Sequence, residues 1–289
     1  MTTEPTRPIL RYHGGKWKLA PWIISHFPEH RVYVEPFGGA ASVLLQKPRS
    51  YAEVYNDLDG EVVNLFRVVR DRGDDLRRAL INTPFSREEF LDSYQAHDDA
   101  LEQARRTVLR SFIGFGSAAA SGAKTGFRSN SNRIGTTPAH DWANFPSCLE
   151  PIMGRLRGVV IECGDAKAIM ASHDSAETLH YVDPPYVLAT RGLKNPYCKK
   201  GYKFEMTDDQ HRELAQFLRE LTGMVVVSGY DCPLYSEIYA GWRTVRRRAL
   251  ADGAREREEV LWLSPAVPAV SDLFDRSNRF LDDTRPEGS

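Results

Sequence analysis

Four consecutive residues, Asp183-Pro184-Pro185-Tyr186, combine groups that could hold a planar amine. They follow the strand-like run 178–182, which is predicted to be buried. The two prolines lack backbone donors and fix an extended turn, and their carbonyl groups stay free to accept. Asp183 and the Pro184 carbonyl could accept the two hydrogens of an aromatic amine while Tyr186 stacks on its ring. The same residues could also form only a rigid turn.

A glycine turn follows another short strand, which is predicted to end at Glu35. Phe37, Gly38 and Gly39 come next, and the composition of 40–45 predicts a helix. Glycines would let the backbone pass close to a bound molecule, and a helix N-terminus favours negative charge. A tight strand-to-helix turn without a ligand is equally compatible with this segment.

Two more carboxylates come directly after predicted strands. Asp57 follows the run 51–55 and suits hydrogen bonds to the ribose hydroxyls of an adenosyl ligand. Asp57 or Asp59 could instead cap the next helix. Asp165 follows the run 158–162 and could accept a bond from an adenine amino group, or serve as a helix N-cap.

Alternating strands and helices must position these residues. Further strands are predicted at 158–162, 178–182, 223–227 and 260–263, with helices at 165–172 and 207–221. This alternation predicts an α/β fold with a doubly wound parallel sheet and antiparallel strands at its C-terminal edge. In such sheets ligands bind beyond the carboxyl ends of the strands, where the four motifs fall.

A helical insertion interrupts the alternation between about residues 71 and 157. Its predicted helices span 76–81, 87–94 and 101–112. A loop rich in Gly, Ser, Asn and Thr then covers 114–137, and long loops of this kind usually bind something or are disordered. We therefore predict a catalytic domain formed by 1–70 and 158–289, with a small domain inserted at 71–157.

The composition narrows the function classes. The 289 residues are 42% hydrophobic and 27% charged, and no apolar run approaches the ~20 residues of a membrane span. The N-terminal residues lack a secretory signal pattern, so we expect a cytoplasmic protein without a membrane partner. The cysteines and histidines show no metal-ligand spacing, and we expect no metal. A net charge of −1 means that any nucleic-acid footprint is local.

Four motifs in one order resemble a known family. Residues 11–16, 35–40, 55–59 and 183–186 resemble the Dam-type (D12 class) adenine-N6 DNA methyltransferases in content and sequence order. The resemblance covers most of the chain. It implies a Rossmann-like S-adenosylmethionine-dependent methyltransferase sheet with an inserted, mainly helical target-recognition domain. The family often has Trp where this chain has Tyr12, another aromatic platform.

The resemblance also implies roles for individual residues. Tyr12 and Lys16 would contact S-adenosylmethionine, Asp57 would bind its ribose and Asp165 would lie near its adenine. Asp183 would lie between the methyl donor and the target amine. The expected cofactor-binding set is Tyr12, Lys16, Glu35, Phe37, Gly38, Gly39, Asp57, Asp165 and Asp183. The expected catalytic set is Asp183, Pro184, Pro185 and Tyr186. Residues 228–231 resemble a segment that supports the target-base pocket.

The expected partner is double-stranded DNA. A base inside a duplex cannot reach such a pocket, so the target adenine is expected to flip out of the stack. The insertion must then grip the duplex, and its loop carries side chains that can contact phosphates and base edges. The predicted DNA-binding residues are Lys124, Arg128, Asn130, Asn132 and Arg133.

Three other functions remain compatible with parts of the pattern. The tetrad recognises an amine rather than a whole base, so cytosine N4 or an RNA base is an alternative target. A catalytically silent DNA-binding module would keep the fold, although its tetrad and glycine turn would be expected to be damaged. A dinucleotide-dependent oxidoreductase would need the full Gly-x-Gly-x-x-Gly spacing, which the turn lacks. A restriction endonuclease partner is compatible with the sequence but not indicated by it.

Overall fold

In a computed structural model, the described residues are 4–116, 124–132, 135–190, 202–251 and 255–269. Within them the chain forms a seven-stranded sheet. Its strands are β1 (Val32–Glu35), β2 (Ala52–Asn56), β3 (Val159–Glu162), β4 (Thr178–Val182), β5 (Met224–Tyr230), β6 (Arg243–Ala251) and β7 (Arg255–Leu263). The polar composition of 274–289 predicts a frayed segment, and these residues lie outside the described ones.

The sheet has the strand order β3-β2-β1-β4-β5-β7-β6. The first five strands pair in parallel, whereas β7 is antiparallel to both β5 and β6. This confirms the predicted Rossmann-like methyltransferase sheet with an antiparallel C-terminal edge. From β1 the sheet extends through β2 and β3 on one side and through β4 and the later strands on the other side. The carboxyl ends of β1 and β4 therefore border the crevice where such sheets bind ligands.

Burial explains why the central strands were recognisable. Every residue of β4 is buried, as are the first six residues of β5, because both faces of a parallel sheet are covered. The sequence did not predict β6, whose segment 243–248 contains four arginines. As an edge strand it tolerates arginines, which hide the usual apolar alternation.

Nine α-helices surround the sheet in the described part of the chain. They are α1 (Ala20–Ile24), α2 (Gly60–Ile81), α3 (Arg87–Asp92), α4 (Ala100–Ile113), α5 (Pro138–Asn144), α6 (Leu149–Leu156), α7 (Ala166–Ser172), α8 (Asp208–Glu220) and α9 (Pro233–Ile238). Six of them begin at a side chain that accepts a backbone N–H bond: Asp59, Ser86, Asp99, Thr137, Asp165 and Thr207 cap α2, α3, α4, α5, α7 and α8. The sequence did not indicate α1, α5, α6 or α9.

The predicted helix over 40–45 is wrong, because these residues form successive turns. Gly39 and Ala41 adopt positive φ angles of 47° and 51°, outside helical geometry. The N–H of Leu44 donates to the Glu35 carboxylate at 2.9 Å instead of to a helical carbonyl. A tertiary hydrogen bond thus overrides good local helix propensity.

The insertion packs closely on the sheet. Helix α2 runs through residue 70, the predicted domain boundary, and its helical geometry is interrupted only at Arg72. One continuous apolar cluster joins sheet residues such as Tyr33 and Leu179 to Phe112 and Trp142 of the insertion. The insertion therefore shares a hydrophobic core with the sheet, and its status as a separate recognition domain stays a prediction.

Candidate active site

A cavity of about 510 Å³ lies at the carboxyl ends of the parallel strands. Phe37, Asp57, Asp165 and Asp183 line it, each contributed by the segment that follows β1, β2, β3 or β4 respectively. Tyr12 from the N-terminal segment completes this group. Five residues predicted from the sequence thus lie around one cavity, whose volume is within the ~300–1,000 Å³ typical of small-molecule sites.

Asp183 is held by two neighbours. Its Oδ1 accepts a hydrogen bond from the Ser228 hydroxyl at 2.6 Å, and its Oδ2 lies 3.0 Å from the Lys16 ammonium. Its side chain retains 16% exposure on the cavity wall. Because each carboxylate oxygen has a second lone pair, Asp183 can still accept hydrogen bonds from a molecule in the cavity.

Lys16 is 5% exposed and contacts the site through Asp183 rather than as part of the cavity lining. It also donates to the Gly14 carbonyl at 2.8 Å. Burial alone would lower the pKa of Lys16, but Asp183 and Glu259 together raise it above its ordinary value. Lys16 therefore stays protonated and serves as a buried cation beside Asp183.

Tyr186 is buried, with only 4% of its surface exposed. Its hydroxyl donates to Glu259 at 2.9 Å, and the edge of Tyr230 packs on it at a centroid distance of 4.6 Å. The sequence predicted that Tyr186 stacks on the ring of a bound amine, and it gave no sign of the bond to Glu259. Pro184 is buried, whereas Pro185 lines the cavity.

The glycine turn is sterically required. A Cβ at Gly38 would overlap the ring of Tyr55, and Gly38 donates to the Asn56 carbonyl at 2.8 Å. Gly39 has a positive φ, and a Cβ there would approach the Tyr12 ring at 3.0 Å. The two glycines thus allow β1, β2 and the N-terminal segment to converge beside the cavity.

Glu35 fixes the other side of this turn. It is 2% exposed, and its Oε2 accepts from the Tyr33 hydroxyl at 2.7 Å and from the Leu44 N–H at 2.9 Å. Burial raises the pKa of Glu35 to about 8, although both hydrogen bonds oppose that shift. Glu35 is therefore a structural anchor of the turn, and its expected contact with a cofactor stays a prediction.

Asp57 and Asp59, the two aspartates after β2, have different roles, which the sequence left open. Asp59 caps α2, whereas Asp57 lines the cavity and accepts the N–H groups of Asp59 and Gly39, both at 2.8 Å. Burial raises the pKa of Asp57. Asp165 both caps α7, accepting the Ala168 N–H at 3.0 Å, and lines the cavity.

One wall of the cavity comes from residues 202–206, which the sequence motifs did not single out. The Lys203 ammonium lies 2.8 Å from the carboxylate of Asp59, which ties this wall to the start of α2. Gln210 of α8 also lines the cavity. No local pattern identified these residues, because they reach the site only through the packing of α8 on the sheet.

The residues predicted to bind DNA lie in several environments. Lys124, Asn130 and Asn132 are exposed. Arg128 donates to the Phe112 carbonyl at 2.9 Å, so part of its role is to hold the loop on the end of α4. Arg133 lies outside the described residues. The structure therefore leaves the DNA-binding assignment of this loop as a prediction.

Two further properties concern the same described part of the chain. It contains no cluster of three or more His, Cys, Asp or Glu side chains arranged to hold a metal ion. None of its helices has the length and apolar character needed to cross a membrane.

Known proteins match this chain over most of its length. The family model described as D12 class N6 adenine-specific DNA methyltransferase matches residues 12–251. A type II methyltransferase of Lactococcus lactis subsp. cremoris is 27% identical over 248 residues, which cover 81% of this chain and 84% of that protein. The DNA adenine methylase of Escherichia coli is 24% identical over 269 residues, or 89% of this chain and 94% of its own. The DNA adenine methylase of Vibrio cholerae is 24% identical over 249 residues, or 81% and 85%.

Proposed function

The chain belongs to the D12 class N6 adenine-specific DNA methyltransferase family, and on this premise we propose that it transfers a methyl group from S-adenosylmethionine to the N6 amine of an adenine flipped out of duplex DNA. The observation that carries this proposal is the placement of Asp183. Its carboxylate is fixed by Ser228 and Lys16 on the wall of the cavity that Tyr12 and Asp57 also line.

The cavity fits an adenosyl ligand by its chemistry. Asp57 accepts one backbone bond at each oxygen and keeps acceptor sites for ribose hydroxyls. Tyr12 and Phe37 offer aromatic surface for an adenine ring, and Asp165 offers a carboxylate. When bound, S-adenosylmethionine supplies an electrophilic methyl group on its sulfonium. The turn at Gly38 and Gly39 lets the backbone approach such a ligand closely.

Asp183 would act on the target amine by accepting a hydrogen bond from one of its N–H groups. The lone pair of an aromatic amine is delocalised into its ring, so the nitrogen is a poor nucleophile. Fixing both N–H bonds, one to Asp183 and one to the Pro184 carbonyl, would turn the lone pair toward the methyl donor. Since Lys16 stays protonated, we assign it the role of orienting Asp183 rather than of accepting a proton.

Tyr186 would form the wall against which the flipped base lies, with Pro185 at the cavity surface. Its buried ring, anchored through the hydroxyl, favours a fixed wall over a mobile side chain. Precise placement matters because a displacement of about 1 Å can lower a reaction rate about 100-fold.

For the DNA partner, the exposed Lys124, Asn130 and Asn132 support a role of the 124–132 loop in contacting the duplex, and we extend this proposal to Arg128 and Arg133. Lys124→Ala is the cleanest test, because replacing Arg128 would also remove its bond to the Phe112 carbonyl. We expect weaker binding to all duplexes and a salt dependence reduced by about one phosphate contact. Unchanged binding and salt dependence would remove Lys124 from the interface. Activity on DNA also favours the cytoplasmic location expected from the sequence.

The test uses purified protein, tritium-labelled S-adenosylmethionine and unmethylated duplex DNA, followed by digestion to nucleosides. We expect the label in N6-methyladenine. Label solely in methylated cytosine would refute the proposed target, and no incorporation would favour the silent DNA-binding alternative. Calorimetry with S-adenosylmethionine and with NAD would separate the methyltransferase from the oxidoreductase alternative.

A further inference from the structure

Glu259 is a buried carboxylate beside the tetrad that none of the sequence motifs includes. It lies on β7 directly opposite Tyr230 of β5, and only 6% of its surface is exposed. Because β7 is antiparallel to β5, Glu259 pairs with the carboxyl end of β5. It therefore lies at the same end of the parallel strands as Asp183, which follows β4. A carboxylate rarely stays buried without partners, since its removal from water is unfavourable. Its partners therefore explain why this position is not apolar.

Glu259 has two tyrosine hydroxyl partners, Tyr186 and Tyr230. The Tyr186 hydroxyl donates to Glu259 Oε2 at 2.9 Å. The ring of Tyr186 meets the edge of Tyr230 at an interplanar angle of 78°, and the Lys16 ammonium lies 4.5 Å from the ring centroid. One hydrogen bond thus fixes the phenol oxygen, and two further contacts fix the plane of the ring.

Glu259 also belongs to the charge environment of Asp183. Lys16 pairs with Asp183 at 3.0 Å, and Glu259 adds to the negative charge that keeps Lys16 protonated. Burial raises the pKa of Glu259 above its ordinary value, although Lys16 and the hydrogen bonds from Tyr186 and Tyr230 oppose that shift. The carboxylates of Asp183 and Glu259 are therefore linked through Lys16.

We propose that Glu259 is a positioning residue of the methylation site, which accepts the Tyr186 hydroxyl and so holds that ring at a fixed place relative to Asp183. This inference rests on the proposed function, because it gives the Tyr186 ring its role against the target base. Pro184 and Pro185 already restrict the backbone between Asp183 and Tyr186. The anchor at Glu259 restricts the far end of the side chain, so both ends of Tyr186 are fixed.

A hydrogen-bonding role and a charge role can be separated by substitution. Glu259→Gln keeps an acceptor oxygen at the same place but removes the negative charge, whereas Glu259→Leu removes both. Tyr186→Phe removes the same hydrogen bond from the other side. Glu258→Gln is the matched control, because Glu258 is the adjacent residue of β7 and its side chain is 46% exposed and paired with Arg246.

The experiment measures single-turnover methyl transfer from labelled S-adenosylmethionine to unmethylated plasmid DNA prepared from a methylation-deficient host. We expect Glu259→Leu and Tyr186→Phe each to lower the rate by about 10- to 100-fold. The double variant is expected to lie within about 2-fold of the slower single variant, because Glu259→Leu already removes the hydrogen bond that Tyr186→Phe removes. Glu259→Gln is expected within about 3-fold of the wild type and Glu258→Gln at the wild-type rate.

Three outcomes would overturn the proposal: multiplicative losses in the double variant, Glu259→Gln as slow as Glu259→Leu, or Glu259→Leu at the wild-type rate. S-adenosylhomocysteine binding, measured by calorimetry, shows whether each variant is folded. If Glu259→Leu does not fold, the other two variants still test the proposal, because Tyr186→Phe is expected to be slow and Glu259→Gln is expected to be close to the wild type.

The NMR signal of the Tyr186 ring needs no methyl transfer, so it tests this inference separately from the proposed function. A wild-type protein that methylates no adenine would contradict the proposed function, whatever the variants do. With ¹³C-labelled tyrosine, the Tyr186 ring signal is identified by its absence from Tyr186→Phe. We expect it to shift in Glu259→Leu and to keep its position in Glu258→Gln. An unchanged signal in Glu259→Leu would contradict the positioning role.

Discussion

Replacing Glu35 with Gln tests how the turn beside the cavity is built. Both hydrogen bonds to this side chain, from Tyr33 and Leu44, reach the same oxygen, Oε2. A Gln amide oxygen can accept both, so Glu35→Gln keeps the local geometry and removes only the ability to ionise. Burial raises the pKa of Glu35 from 4.5 to about 8. The folded protein therefore holds this proton over a pH range in which the unfolded chain releases it.

The sign and size of the effect follow from that difference. The folded pKa is the higher one, so the free energy of unfolding falls as pH rises from about 4.5 to about 8 and then levels off. At about 1.4 kcal/mol for each pH unit, the whole decline corresponds to about 5 kcal/mol, an upper estimate for a buried group. Glu35→Gln removes this contribution and is expected to gain stability relative to the wild type across that window.

Urea denaturation followed by tryptophan fluorescence, at several pH values between about 5 and about 9, measures the difference in free energy of unfolding between Glu35→Gln and the wild type. We expect Glu35→Gln to be close to the wild type at the acid end and more stable by several kcal/mol at the alkaline end. Glu29→Gln makes the same chemical change at an exposed side chain and is expected to run parallel to the wild type. Parallel curves for Glu35→Gln as well would refute the conclusion that burial keeps Glu35 protonated.

Two further substitutions test the packing around the site. Gly38→Ala places a methyl group against the Tyr55 ring, and it is expected to lower the free energy of unfolding by about 1–3 kcal/mol and to weaken S-adenosylhomocysteine binding. The control Gly60→Ala places its methyl group in open space and is expected to be neutral or slightly stabilising. Equal urea midpoints for the two variants would contradict this account. Glu53→Gln removes the carboxylate that Arg155 contacts at 2.6 Å in a buried ion cluster, and it is expected to cost about 3–5 kcal/mol of stability in the same assay. A loss below about 1 kcal/mol would show that the cluster does not need this charge.

The parallel part of the fold was predictable because its patterns are local. The run Thr178–Val182 consists mainly of β-branched, aromatic and apolar residues and is buried throughout, and the structure gives β4 the same bounds as the prediction. Asp57 and Asp183 follow strands of one parallel sheet, so their convergence at one edge follows from topology. The sequence alone therefore predicted where the cavity lies.

Other parts depend on contacts that no local pattern shows. Residues 40–45 have helix-forming composition, yet Ala41 at positive φ and the bond from Leu44 to Glu35 produce turns. Glu259 gave no signal because its partner Tyr186 is distant in sequence and meets it only through the antiparallel strand β7. Long-range hydrogen bonds of this kind require the folded chain.

The most direct test of adenine methylation is sequencing of the genome of a methylation-deficient host that expresses the protein. We expect N6-methyladenine at one short recurring DNA sequence with the wild type. With Asp183→Ala we expect the mark to disappear although the protein remains folded, because Asp183 would accept a hydrogen bond from the target amine. Methyladenine at the same level with Asp183→Ala, or methylated cytosine alone with the wild type, would contradict the account.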